Sequence, residues 1–156
     1  MDFSLSFEQQ ALVESLEEFV KKELYPHEAL VEELRDVPDE IALEIRRKAN
    51  EAGFTAMNMP AEWGGPGLDH QTLAQAERVM GKPSTALSLQ MKRPTQILLK
   101  CQGDQMGKYL RPSIRGEKTD CFALTEPGAG SDARGIVTRA VRDGGDWVIN
   151  GVKQFI

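Results

Sequence analysis

The feature that most restricts this chain is a change of hydrophobic period near Gly116. Before it, apolar residues recur three and four apart, the spacing of one helix face. After it they alternate or run in short β-type clusters. One such switch reads as two units in series, an all-helical domain over 1–116 and a β portion over 117–156. In the first, Ser6 and Gln9 predict a capping box ahead of a helix carrying Leu12, Leu16, Phe19, Val20 and Leu24. Pro38 suits the first turn of a second helix, with Ile41, Ile45, Ala49 and Ala52 on one face and Gly53 as its stop. Asp69 is the expected cap of a third, carrying Leu73, Ala76, Val79 and Met80. A further helical pattern runs from Ser84 to Cys101, interrupted near Arg93-Pro94, and a short helical turn covers Gln105 to Leu110.

Beyond Gly116, Cys121 to Thr125 reads as a strand and 126–135 as a glycine-rich loop. Ile136 to Arg142 alternates like a strand, Asp143-Gly144-Gly145 is turn chemistry, and Trp147 to Ile149 resumes a strand. Asn150-Gly151 signals a two-residue hairpin into a return strand from Val152 to Ile156. So few strands, ending within one, are expected to be part of a larger β domain.

Composition narrows the partners. Hydrophobic residues make up 40% and charged residues 28%, ordinary for a globular chain. A formal net charge of -5 argues against nucleic acid or an anionic membrane surface, since both reward a basic face. No basic start with an apolar run marks a signal peptide, and no stretch approaches the ~18 apolar residues of a membrane span. Cys101 and Cys121 form no C-x-x-C pair and read as small buried residues in a reducing compartment, the cytoplasm or an organelle matrix. His27 and His70 lack metal-ligand spacing and read as surface residues, so no metal is expected. Trp63 reads as a packing anchor, and Lys108, Arg111 and Arg115 as a solvated helix face.

The chemistry sits in Ala123 to Gly135. A strand delivers Thr125 to its end, Pro127 stiffens a turn, and Gly128 and Gly130 allow close approach of backbone to a ligand. Successive N–H groups near Gly130 and Ser131 can form an anion-binding nest, with the Thr125 and Ser131 hydroxyls as further donors. Gly128-x-Gly130-x-x-Ala133 fits a loose dinucleotide fingerprint, but that motif opens a helix within a βαβ unit, and here a β pattern follows. On these arguments alone a ligand-free glycine turn stands as an equal alternative.

The whole string Leu124-Thr125-Glu126-Pro127-Gly128-Ala129-Gly130-Ser131-Asp132, with Gly135 after it, resembles the signature of the acyl-CoA dehydrogenase family. Pro60-Ala61-Glu62-Trp63-Gly64-Gly65 is similar to a loop of the family's helical domain. Asn150-Gly151-Val152-Lys153-Gln154-Phe155-Ile156 is similar to one of its β strands, and Phe7-Glu8-Gln9-Gln10 to its first helix. The resemblance implies an N-terminal all-α domain followed by the first strands of a β-barrel-like domain, truncated. It implies noncovalent FAD, and dehydrogenation of acyl-CoA thioesters in fatty acid metabolism: a glutamate removes the α-proton while the β-hydride goes to flavin N5.

By that resemblance Phe122, Leu124 and Thr125 line the flavin, with Leu124 and Thr125 against its ring system. Gly130 and Ser131 meet the pyrophosphate, Ser131 also borders the acyl-CoA substrate, and Phe155 and Ile156 lie beside the ring. The family's catalytic glutamate belongs to a C-terminal helical domain that these residues do not include. Glu126 is not that base, no residue here is expected to be catalytic, and the chain alone is expected to be inactive. An electron-transfer flavoprotein or similar acceptor and a homo-oligomer, dimer or tetramer, are the implied partners. Two alternatives are a flavin oxidase or monooxygenase of the same superfamily, and a noncatalytic remnant or interaction module.

Overall fold

The computed structural model describes residues 4–91 and 93–156. They form two compact units, Met1–Thr119 and Asp120–Ile156. The described residues are mostly helical with one two-stranded sheet, in keeping with the expected fold class.

The first unit opens with α1, Phe7–Phe19, held by a complete capping box. Gln9 N donates to the Ser6 hydroxyl (3.3 Å) and Ser6 N to the Gln9 carboxamide oxygen (2.9 Å). The helical path then continues through a π-helical turn, Val20–Leu24, and a 3-10 turn, Tyr25–His27, into α2, Glu28–Leu34, an element the periodicity does not predict. Pro26 explains the irregularity. It has no N–H for the carbonyl four residues back and its ring crowds that group, so the ladder widens and Tyr25 N donates five residues back, to Val20 O. α2 stops at Arg35, whose φ of 55° is left-handed.

α3, Asp39–Glu51, starts after Pro38, which occupies the N-cap and not the first turn. Ala42, Ile45 and Ala49 form its buried face; Ala52, expected there, is the exposed C-cap. α4, His70–Met80, begins where expected, with Thr72 N donating to the Asp69 carboxylate at 2.9 Å. Gln9 Nε2 donates both to Asp69 Oδ2 (3.2 Å) and to Thr72 Oγ1 (2.6 Å), so the caps of α1 and α4 are one network.

The helix expected from Ser84 to Cys101 is instead three short pieces: α5, Thr85–Ser88, then 3-10 turns at Leu89–Met91 and Gln96–Lys100. Pro83 and Pro94 bracket the first two, and a residue before proline is pushed toward extended backbone. Leu89 and Ile97, placed on an apolar face by the periodicity, are exposed, and Lys92 lies outside the described residues. A second π-helical turn, Met106–Leu110, leads into α6, Arg111–Ile114. Pro112 repeats the role of Pro26: Arg111 N donates back to Met106 O, while Lys108 O, the carbonyl Pro112 cannot serve, accepts from Lys118 Nζ at 2.8 Å.

The core of this unit has two parts. The larger joins Leu16, Leu24, Ile45, Met57, Val79 and Leu87. The smaller joins Ala56, Met59, Leu110 and Ile114, with half-buried Trp63 and Cys101 packed on it, so Trp63 is the anchor its loop context suggests. Gly65 is required beside it, since a Cβ there would lie 2.2 Å from Met59 O. Among the described residues no helix is long and apolar enough to cross a membrane.

The second unit contains β1, Arg139–Asp143, and β2, Asp146–Asn150, antiparallel with Val141 opposite Val148 and Asp143 opposite Asp146. The hairpin turn is therefore Gly144-Gly145, with Gly144 at a left-handed φ of 58°. Two expectations fail here. Asn150-Gly151 makes no hairpin: Asn150 is already the last rung, opposite Arg139, and no return strand follows. Cys121 to Thr125 is not a strand, because a strand is a ladder and the bond this stretch receives from the main chain is a single rung, Gln154 N to Thr125 O at 2.9 Å. With no sheet to cover it Cys121 is exposed, and Cys101 is half-buried, so neither cysteine is the buried residue expected.

Candidate flavin-facing loop

The loop after Thr125 is organised by a carboxylate. Glu126 N donates to Ala129 O (3.0 Å) and Ala129 N to Glu126 O (3.1 Å), closing a tight turn over Pro127 and Gly128. The Glu126 side chain turns inward. Its Oε2 accepts from Val137 N at 2.8 Å and its Oε1 from Thr138 N at 3.0 Å. Lys153 Nζ adds a third donor to Oε1 at 2.9 Å and also donates to Leu124 O at 2.9 Å. The pair is covered, with the Glu126 side chain 3% and the Lys153 side chain 24% exposed.

This setting holds the Glu126 carboxyl down to about 2 from an ordinary 4.5, through Thr138, the Val137 N–H and the Lys153 ammonium in that order. The Thr138 hydroxyl itself meets no partner at hydrogen-bonding geometry, so the two backbone N–H groups and Nζ are the bonds that are made. A carboxylate so held is a poor proton acceptor, which separates Glu126 from any role as general base.

Around this node the loop is fixed by short-range contacts. Asp132 Oδ1 accepts from Arg134 N at 3.1 Å and starts a 3-10 turn, Ala133–Gly135. Gly151 is pressed against Thr138; a Cβ there would lie 2.1 Å from Oγ1 and 2.8 Å from Cα. Gly128 and Gly130 differ: no atom lies within 4 Å of an added Cβ, and neither has a positive φ. The fold requires glycine at neither position.

The residues singled out by the sequence fall around the node. Leu124 and Thr125 lead into it, and Gly130 and Ser131 follow it on the exposed side of the turn. Phe155 and Ile156 follow Gln154, Phe155 with a left-handed φ of 58° and 88% exposed. Phe122 and Ile156 are exposed and enter none of these hydrogen bonds. Among the described residues, the N–H groups of Leu124, Thr125, Gly130 and Ser131 and the hydroxyls of Thr125 and Ser131 have no hydrogen bond within the chain. The donors suited to a polar ring edge and a pyrophosphate are thus present and unengaged, on a loop whose base is rigidly tied. Sequence reasoning missed the tie. Its signal was an opposite-charge pair, Glu126 and Lys153, each inside one of the two family-like strings.

Comparison with known proteins agrees with this fold. "Acyl-CoA dehydrogenase, N-terminal domain" matches residues 6–117 and "Acyl-CoA dehydrogenase, middle domain" residues 121–156. The chain belongs to the acyl-CoA dehydrogenase family. It is 37% identical over 155 residues to the 3-(aryl)acrylate reductase of Clostridium sporogenes, covering 96% of this chain and 40% of the relative. It is 36% identical over 155 residues to the caffeyl-CoA reductase-Etf complex subunit CarC of Acetobacterium woodii, covering 96% and 40%. Among solved structures, the acyl-CoA dehydrogenase complexed with FAD from Bacillus anthracis superposes with a TM-score of 0.79 at 28% identity, covering 97% of this chain and 26% of that one. The chain spans about 40% of the curated relatives it matches.

Proposed function

We propose that these residues are the N-terminal helical domain and the beginning of the FAD-binding middle domain of a flavin-dependent oxidoreductase acting on acyl-CoA thioesters. Family membership supports the class, and the unengaged donors at 124–125 and 130–131, held on the Glu126 node, carry the assignment to this loop. Bound FAD supplies the acceptor for the hydride leaving the β-carbon of the acyl group. The chain's own part is to bind and orient. Leu124 presents its side chain and N–H to the ring system, and Thr125 offers its N–H and hydroxyl to the polar edge. Gly130 and Ser131 receive the pyrophosphate through main-chain N–H groups, and Ser131 also borders the thioester. Phe155 and Ile156 wall the ring. No residue here is assigned to proton removal, so the 156 residues alone have no dehydrogenase activity. An electron-transferring flavoprotein is the proposed acceptor; the Acetobacterium relative is named as a subunit of a reductase-Etf complex. The intact protein is proposed to be a homo-oligomer, in the cytoplasm or an organelle matrix.

The test uses the full-length protein. Anaerobic addition of an acyl-CoA should bleach the absorbance of the bound flavin, and a protein that carries no flavin would overturn the reading. Gly130→Ala localises it. The methyl group enters open space in the fold, so thermal stability should be unchanged or slightly raised, while FAD affinity falls by about tenfold as the backbone is held off the ligand. Equal FAD affinity in the variant and the parent would remove Gly130 from the site.

A further inference from the structure

We infer that Glu126 and Lys153 are positioning residues for the flavin-facing backbone, an ion pair that holds in one arrangement the separate segments that meet the cofactor. The inference rests on the placement of FAD at this loop. Its ground is the convergence of bonds on two side chains. Glu126 receives Val137 N, Thr138 N and Lys153 Nζ at 2.8, 3.0 and 2.9 Å. Lys153 reaches Leu124 O at 2.9 Å, beside the rung from Gln154 N to Thr125 O. Three stretches far apart in sequence, 124–126, 137–138 and 153–154, are thus joined where the chain has no sheet to join them.

Every proposed flavin contact lies within five residues of Glu126 or Lys153 along the chain. An extended segment without a ladder takes its geometry from such side-chain ties. Hydrogen bonds to charged groups are stronger than neutral ones, and a covered carboxylate loses more when a donor is removed. Losing the Lys153 ammonium would leave Leu124 O and Glu126 Oε1 each short of a donor and would leave the 153–156 segment hydrogen-bonded to the loop through the rung from Gln154 N to Thr125 O alone. The Gly151–Thr138 contact confines the same crossing sterically.

The experiment measures FAD dissociation constants and flavin absorption bands in the full-length protein for E126Q, K153M, their double variant, K153R and T125V. E126Q and K153M should each raise the constant by about tenfold and displace the absorption band, and the double variant should be no worse than the weaker single. K153R keeps the cation with altered geometry. It should restore affinity to within about threefold, with a band between those of the parent and K153M. T125V, which removes a direct donor, reports on the FAD placement itself. If T125V changes the band while E126Q and K153M change neither quantity, the positioning role fails and the placement stands. If all three leave both unchanged, the placement fails and the positioning role with it. Should K153M not fold, E126Q decides, and an unchanged dissociation constant and an unshifted band in that variant overturn the proposal.

Discussion

At the scale of single residues, Glu126 shows how a signature residue can be structural in chemistry and still sit beside the candidate contacts. Its carboxylate is covered, accepts two main-chain N–H groups and an ammonium, and titrates near 2, well below its ordinary 4.5. The linkage has a definite sign. A depressed carboxyl contributes stability that is fully present above 4.5 and lost as pH falls toward about 2, because protonation is then forced on a group the fold holds ionised. In thermal melts, the gap between the parent and Glu126→Gln should be widest above pH 4.5 and close progressively toward pH 2. A gap independent of pH would show that the charge of Glu126 does not stabilise the fold. The candidate donors, Thr125, Gly130 and Ser131, were legible because they lie in one contiguous string. The Glu126–Lys153 tie was not, because its partners are far apart in sequence and neither periodicity nor turn chemistry reports a contact of that kind.

At the scale of elements, the sequence was legible where the determinant is local. The Ser6–Gln9 box and the Asp69 cap are set by residues within one turn, and both occur as expected. Their joining by Gln9 Nε2 is a tertiary consequence that a cap motif does not announce. Replacing Ser6 by Ala removes the acceptor for Gln9 N and should cost about 1 kcal/mol in denaturant unfolding of the full-length protein. A loss under a few tenths would mean that the Gln9–Asp69–Thr72 network holds the helix start without it. The failures arise where distant structure overrides a local signal. Asn150-Gly151 is good hairpin chemistry, yet pairing of Arg139 with Asn150 already ends the ladder and Gly151 is needed for its closeness to Thr138. The apolar spacing of 84–101 is helical, yet Pro83 and Pro94 fragment it. The two π-helical turns are the same conflict in milder form, each ending two residues before a proline.

At the scale of the molecule, the two units differ in how they are held. The first has a core of side chains from α1 to α5 and a second cluster under Trp63. The second buries only Glu126 and Ala129, while Val141, Trp147, Val148, Ile149 and Val152 are 59%, 63%, 46%, 70% and 64% exposed. A two-stranded hairpin cannot shield its own faces and is marginal in water, and its outer edges offer unpaired main-chain groups beside large apolar side chains. The 156-residue chain produced by itself should therefore be helical by circular dichroism, from its first unit, yet self-associate through its second. Light scattering behind size exclusion should show species heavier than a monomer whose proportion grows with concentration. A chain cut after Thr119, at the boundary between the units, should run as a lighter and more uniform species. Were the uncut chain a dilution-independent monomer, the apolar surface of the second unit would have to be covered within the chain, and the weight would shift toward the self-sufficient binding module.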